Sequence, residues 1–67
     1  MPVINYEGGV LSLQQKEQLI KEFTEVFTKV VGMPKETLYI FLKENSYDNV
    51  GVGGQTISKL LKDKDKQ

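Results

Sequence analysis

The residue with the clearest chemical potential is the second one. The chain opens Met1-Pro2 and runs at once into a strand-like segment. A small penultimate residue such as proline normally permits removal of the initiator methionine, and Pro2 then presents a free secondary amine. An N-terminal α-amino group titrates at about pH 8. The alkyl substitution of proline makes the amine more basic, whereas an apolar surround disfavours its charged form and lowers the pKa again. Together these effects can leave a proton-transfer base poised near neutral pH.

Few other residues compete for that role. The chain has no histidine and no cysteine, so Ser-His and Cys-His dyads, disulfides and thiolate metal sites are excluded. Glu7, Glu44 and Asp48 are candidate acids or bases. Glu7 and Glu44 fall near the ends of two predicted strands and are potentially close, though solvated surface charge is the ordinary state of such residues. No metal site and no cofactor is indicated by the spacing of the carboxylates. Tyr6, Tyr39 and Tyr47 suit an otherwise apolar pocket, with packing as their default use. Gly51-Val52-Gly53-Gly54 fits neither G-x-G-x-x-G nor G-x-x-x-x-G-K-[ST], so these glycines read as turn formers rather than a phosphate cradle.

The elements that must position these residues are legible as patterns. Pro2–Glu7 is rich in β-formers and is closed by Gly8-Gly9. Ser12, with Gln15 three residues on, forms a potential capping box. Leu19, Ile20, Phe23, Val26, Phe27, Val30 and Val31 then make one apolar stripe at helical spacing, which predicts a helix over 13–31. Gly32 and Pro34 supply its stop. Thr37–Glu44 reads as a second strand, with Leu38, Ile40 and Leu42 on one face and Tyr39 and Phe41 on the other. A strand, a long helix and a strand predict a parallel, right-handed β-α-β unit of the α+β class. Asn45–Gln55 is rich in turn residues and predicts a hairpin or turn with Val50 and Val52 as its apolar points. Ile57, Leu60 and Leu61 form either a final helical turn or a docking strand. Residues 1–61 thus make a single domain, and 62–67 an alternating-charge, flexible tail.

Size and charge bound the partners. A chain of 67 residues buries only about 60% of its unfolded surface. One helix covers one face of a two-stranded sheet, and parallel strands are rarely left open to water. A homo-oligomer that completes the sheet is therefore expected. The nine basic residues, all lysine, offset nine acidic ones, which argues against nucleic acid as a partner. No apolar run reaches the roughly 20 residues of a membrane span, and no signal peptide is visible, so a cytoplasmic location is expected.

The order of these features resembles the 4-oxalocrotonate tautomerase family. The resemblance rests on the proline start, Gln15-Lys16-Glu17 and Leu19-Ile20 in the helix, the strand ending near Glu44, and Gly51-Val52-Gly53-Gly54 after it. It spans Pro2 to about Lys59. It implies dimers with a four-stranded sheet and two helices on one face, commonly assembled into hexamers, with the C-terminal hairpin reaching a neighbouring subunit. It further implies an isomerase in which Pro2 is the general base for keto-enol proton transfer on a small enol or 2-oxo acid, without a cofactor. Two arginines usual in that family are absent: Val10-Leu11 occupies the first region and Tyr39 the second position, while Val50 stands where an aromatic pocket wall is usual. An arginine–carboxylate fork gives two charge-assisted hydrogen bonds, and loss of an oxyanion donor costs roughly 3–4 kcal/mol in other enzymes. A neutral or monoanionic enol is therefore expected over a dicarboxylate, with Pro2 as base and Tyr39 and Val50 as substrate-binding residues. The alternative is a non-catalytic oligomeric binding or structural protein on the same scaffold.

Overall fold

Strands β1 (Val3–Gly8) and β2 (Tyr39–Glu44) lie parallel and in register, from Val3 opposite Tyr39 to Gly8 opposite Glu44. The structure, a computed structural model, describes residues 1–65. The ladder continues past both ends. The Tyr39 N–H donates to the Pro2 carbonyl at 3.1 Å, and the Asn45 N–H donates to the Gly8 carbonyl at 2.8 Å. Alternation along the pleat gives the two faces different fates. Val3, Asn5 and Glu7, with Tyr39, Phe41 and Lys43, are exposed; Ile4, Tyr6, Ile40, Leu42 and Glu44 are half-buried. The expected division of Ile40 and Leu42 from Tyr39 and Phe41 holds.

Helix α1 (Leu13–Val31) crosses between the strands. Its start is fixed by a reciprocal cap: Ser12 Oγ accepts from the Gln15 N–H at 3.1 Å, and Gln15 Oε1 accepts from the Ser12 N–H at 2.9 Å. That satisfies two donors the first turn would otherwise leave open. Its end is fixed by Gly32 at φ 79°, where the N–H donates to the Thr28 carbonyl. Leu19, Phe23 and Phe27 are half-buried. They occupy one line along the helix, and Lys16 on the same line reaches Glu44 of the half-buried sheet face. That contact places α1 over this face.

The second strand begins later than the sequence pattern suggests. Lys35–Thr37 is a 3-10 turn. The Thr37 hydroxyl donates to the Pro34 carbonyl at 2.7 Å, and the Thr37 N–H donates to the same carbonyl at 3.0 Å. This local closure draws Thr37 out of the extended run despite its β-branched side chain.

Beyond β2, a 3-10 turn at Tyr47–Asn49 leads to a short antiparallel hairpin, β3 (Gly51–Val52) and β4 (Gln55–Thr56). Gly53 (φ 61°) and Gly54 (φ 86°) form its turn. Two consecutive positive φ values match the tight turn that suits the natural twist of a hairpin. Helix α2 (Ile57–Asp65) follows, with the Thr56 hydroxyl accepting from the Lys59 N–H at 3.1 Å as its cap. The segment from Ile57 is thus a helix, not a docking strand. Lys62–Asp65, expected as the start of a charged tail, belong to that helix; Lys66 and Gln67 lie outside the described residues.

Among the described residues none is fully buried, and they form no closed core. Its radius of gyration is 16.2 Å, against about 11 Å for a compact domain of this length. On the open sheet face Tyr39 is 49% and Phe41 53% exposed. The fold supplies apolar surfaces that it does not itself cover.

Candidate functional site

Pro2 stands at the head of β1. It is half-buried between exposed Met1 and exposed Val3, and Met1 is 82% exposed. The backbone fixes Pro2 beside β2 through the Tyr39 N–H. The Tyr39 side chain lies on the open face with Val3 and Phe41. Pro2 and Tyr39 are therefore neighbours at one end of the sheet.

Val50 is at the other end. It is half-buried, its carbonyl accepts from the Ile57 N–H at 2.8 Å, and it lines a cleft with Gly8 and Gly9. Five strand rises of about 3.3 Å put roughly 17 Å between the two ends of β1. One chain does not bring Pro2 and Val50 together.

The carboxylates separate as well. Glu7 lies opposite Lys43 on the open face, and Glu44 lies opposite Gly8 on the helix side. Their proximity in sequence position along the two strands does not make them a pair, because the pleat sends them to opposite faces. Glu44 Oε2 accepts from the Leu11 N–H at 2.8 Å, and Glu44 Oε1 meets Lys16 Nζ at 2.6 Å. The Lys16 ammonium first, and the Leu11 N–H second, hold its carboxyl below the usual carboxylate range, with burial pushing the other way. Glu7 Oε2 accepts from Asn45 Nδ2 at 2.8 Å and has Lys43 Nζ at 3.8 Å. Asp48 accepts from the Ser58 hydroxyl, tying the turn to α2. Glu7, Glu44 and Asp48 each have a structural partner, and none of the three approaches Pro2's end of the sheet.

Gly8 at the end of β1 and Gly9 after it make room for two tyrosines. A Cβ on Gly8 would come within 2.5 Å of Tyr6 Oη, and one on Gly9 within 3.1 Å of Tyr47 Oη. The ring of Tyr47 thereby becomes one wall of the cleft at this end, with Val50, Ile57 and Leu61. Sequence reasoning assigned Tyr47 to packing and gave Asn45 and Asn49 only turn-forming roles. No periodic signal marks them, because they sit on a loop whose path is set by the 3-10 turn. Among the described residues no group of three or more His, Cys, Asp or Glu could hold a metal ion, and no helix is long and apolar enough to cross a membrane.

Comparison with known proteins agrees with this architecture. The family model described as "Tautomerase enzyme" matches residues 3–60. A "Probable tautomerase" of Helicobacter pylori is 33% identical over 64 residues, covering 90% of this chain and 94% of its own. The "2-hydroxymuconate tautomerase" of Pseudomonas fluorescens is 35% identical over 49 residues, covering 73% of this chain and 78% of its own. Among solved structures, TomN, a 4-oxalocrotonate tautomerase homologue in the tomaymycin biosynthetic pathway, superposes with a TM-score of 0.82 at 21% identity, covering 91% of this chain and 95% of that one. That likeness is one of fold.

Proposed function

The chain belongs to the tautomerase family, and from that premise we propose that it is a cofactor-independent tautomerase whose base is the Pro2 nitrogen once Met1 is removed. The observation that carries this reading is the setting of Pro2. It is half-buried at the head of β1 and held by the Tyr39 N–H, while Met1 beyond it projects into solvent where an aminopeptidase can reach it.

The chemistry is redox-neutral. The Pro2 lone pair takes the proton of an enol hydroxyl. The C–O bond becomes a carbonyl as the C=C electron pair takes a proton at carbon, returned by the pyrrolidinium. One proton leaves oxygen and one arrives at carbon. Negative charge develops on oxygen during the transfer, and a donor aimed at it lowers the barrier. Tyr39, beside Pro2, is the candidate donor in a chain without arginine.

The active unit is a homo-oligomer, a dimer or a hexamer, acting in the cytoplasm on a small enol or 2-oxo acid. Two features support assembly: no described residue is fully buried, and the open sheet face exposes Val3, Tyr39 and Phe41. Pro2 and Val50 of one chain are at opposite sheet ends, so Val50 shapes the pocket of Pro2 from another copy.

The test is ketonisation of phenylenolpyruvate or 2-hydroxymuconate, followed by absorbance, with protein whose intact mass shows Pro2 unblocked. A rate well above buffer is expected. No such rate, together with an ordinary amine pKa at Pro2, would instead identify a scaffold that binds without chemistry.

A further inference from the structure

We infer that Thr37 is a positioning residue for proton transfer at Pro2. Its hydroxyl closes the turn before β2, and that turn aims the backbone N–H that holds the base. The inference deepens the tautomerase reading above and rests on it, because it needs the Pro2 nitrogen to be the base. Thr37 acts through the backbone and not on the substrate.

Three consecutive N–H groups divide their acceptors. The Thr37 N–H donates to the Pro34 carbonyl at 3.0 Å, and the Leu38 N–H donates to the Lys35 carbonyl at 3.3 Å. The Tyr39 N–H, next in line, crosses to the Pro2 carbonyl at 3.1 Å. The turn thus ends one residue before the contact that fixes Pro2. Pro34 presets the entry to the turn, with φ −59° in the range its ring imposes. Thr37 pins the exit. Its hydroxyl gives the same Pro34 carbonyl a second donor at 2.7 Å, and a carbonyl oxygen has two lone pairs to accept both.

Without that hydroxyl the local sequence favours another path. Thr37, Tyr39 and Ile40 prefer extended backbone. A strand drawn out from Thr37 would lose the two backbone bonds of the turn. Once Met1 is removed, β1 has no residue before Pro2 with which to pair it. The Tyr39 amide would then sit on a frayed end.

Two consequences reach the chemistry. The peptide plane after Pro2 is held through its carbonyl, and one soft torsion separates that plane from the ring nitrogen. The Tyr39 N–H therefore limits where the base points. Tyr39 is also the first residue of β2, and the pleat sends it to the open face with Val3 and Phe41. A slip of one residue would send it to the opposite face. One turn sets the base and the candidate donor together. Misplacing a reacting group by about 1 Å costs up to roughly 10²-fold in rate, and fraying of this contact should cost about tenfold.

The experiment uses the full chain with Pro2 verified as free. It compares Thr37→Val, which removes the hydroxyl at nearly constant shape, with Thr37→Ser, which keeps it. Ketonisation of phenylenolpyruvate gives kcat and KM, and amide hydrogen exchange reads the Tyr39 contact directly. Thr37→Val should lower kcat about tenfold with KM little changed, the pattern of an interaction that counts only in the transition state. Its Tyr39 amide should exchange about fivefold faster. The Asn45 amide, bonded to the Gly8 carbonyl at the far end of the same strand pair, should keep the parent rate. Thr37→Ala, free of valine's own strand preference, should behave as Thr37→Val does. Thr37→Ser should retain the parent kcat and the parent Tyr39 protection. Parent kcat in the valine and alanine variants, or release of the Tyr39 amide without loss of kcat, overturns the positioning role. Equal acceleration of the Tyr39 and Asn45 amides also overturns it, since the hydroxyl then supports only the stability of the whole fold. These results leave the tautomerase reading standing, whereas no turnover by the unsubstituted protein overturns both.

Discussion

Lys16 in the first turns of α1 and Glu44 at the last position of β2 meet at 2.6 Å, while the other oxygen of Glu44 takes the Leu11 N–H at 2.8 Å. One carboxylate thus fixes the loop after β1, the helix start and the strand end. Both acceptor contacts favour the ionised form, so the folded pKa lies below the unfolded one. The stability this linkage contributes is present above the unfolded value and is lost as pH falls through the folded value. The unsubstituted protein should therefore lose melting temperature as the solution is acidified below the ordinary carboxylate range. Glu44→Gln should melt lower at neutral pH and show a flatter acid limb. A calorimetric pH series on both proteins checks this; parallel acid limbs would remove Glu44 from the account.

The hairpin turn gives a second expectation. Gly53 and Gly54 both have positive φ, and nothing lies within 4 Å of a Cβ built on either. Space is not the constraint; the backbone is. Left-handed conformation costs an ordinary L-residue roughly 1–2 kcal/mol, so Gly53→Ala and Gly54→Ala should each destabilise by about that amount. Gly53→Asn should cost less, because asparagine tolerates this region better. Urea unfolding at fixed protein concentration distinguishes the three. Equal stability of the alanine and asparagine variants would mean the turn rearranges.

Much of this architecture is legible in the residue order. Ser12 with Gln15, the stripe through Leu19, Phe23 and Phe27, and Gly32 before Pro34 are local signals, and a helix obeys local rules. Alternation sorted Ile40 and Leu42 from Tyr39 and Phe41 for the same reason. What escaped depends on contacts distant in sequence or on competing local bonds. Thr37 has strand propensity, yet its hydroxyl closes a turn on Pro34. Glu7 and Glu44 look equivalent along the chain, but the register puts one against Lys43 and the other against Gly8. The role of Tyr47 depends on Gly9, nearly forty residues earlier, leaving room for its ring.

Assembly can be tested on the open face. Phe41 is 53% exposed there beside Tyr39 and Val3, and covering a large apolar side chain is worth about 1.5–3 kcal/mol. Several copies of that gain are needed by a chain with no buried residue among those described. Phe41→Lys should therefore reduce the assembled mass and lower the melting temperature together. Sedimentation velocity and thermal unfolding report the two effects. A Phe41→Lys protein that keeps the parent mass and stability would show that this face is not the interface.

Pro2 provides the most direct prediction. A variant that retains Met1 has an amide at position 2 and no basic nitrogen there, so ketonisation should fall to the buffer rate. Pro2→Ala with Met1 removed keeps a primary amine at the same point on β1, and its kcat should drop about 10²-fold, the lower range for losing a well-tuned acid–base group. Because Pro2 joins the ladder through its carbonyl rather than its nitrogen, both variants should preserve the fold. Circular dichroism verifies that condition. The acid limb of the pH–rate profile then reports the Pro2 nitrogen: a base in a sheltered site should titrate below the usual amine range. An unshifted limb, or full activity in the Met1-retaining protein, would exclude Pro2 as the base.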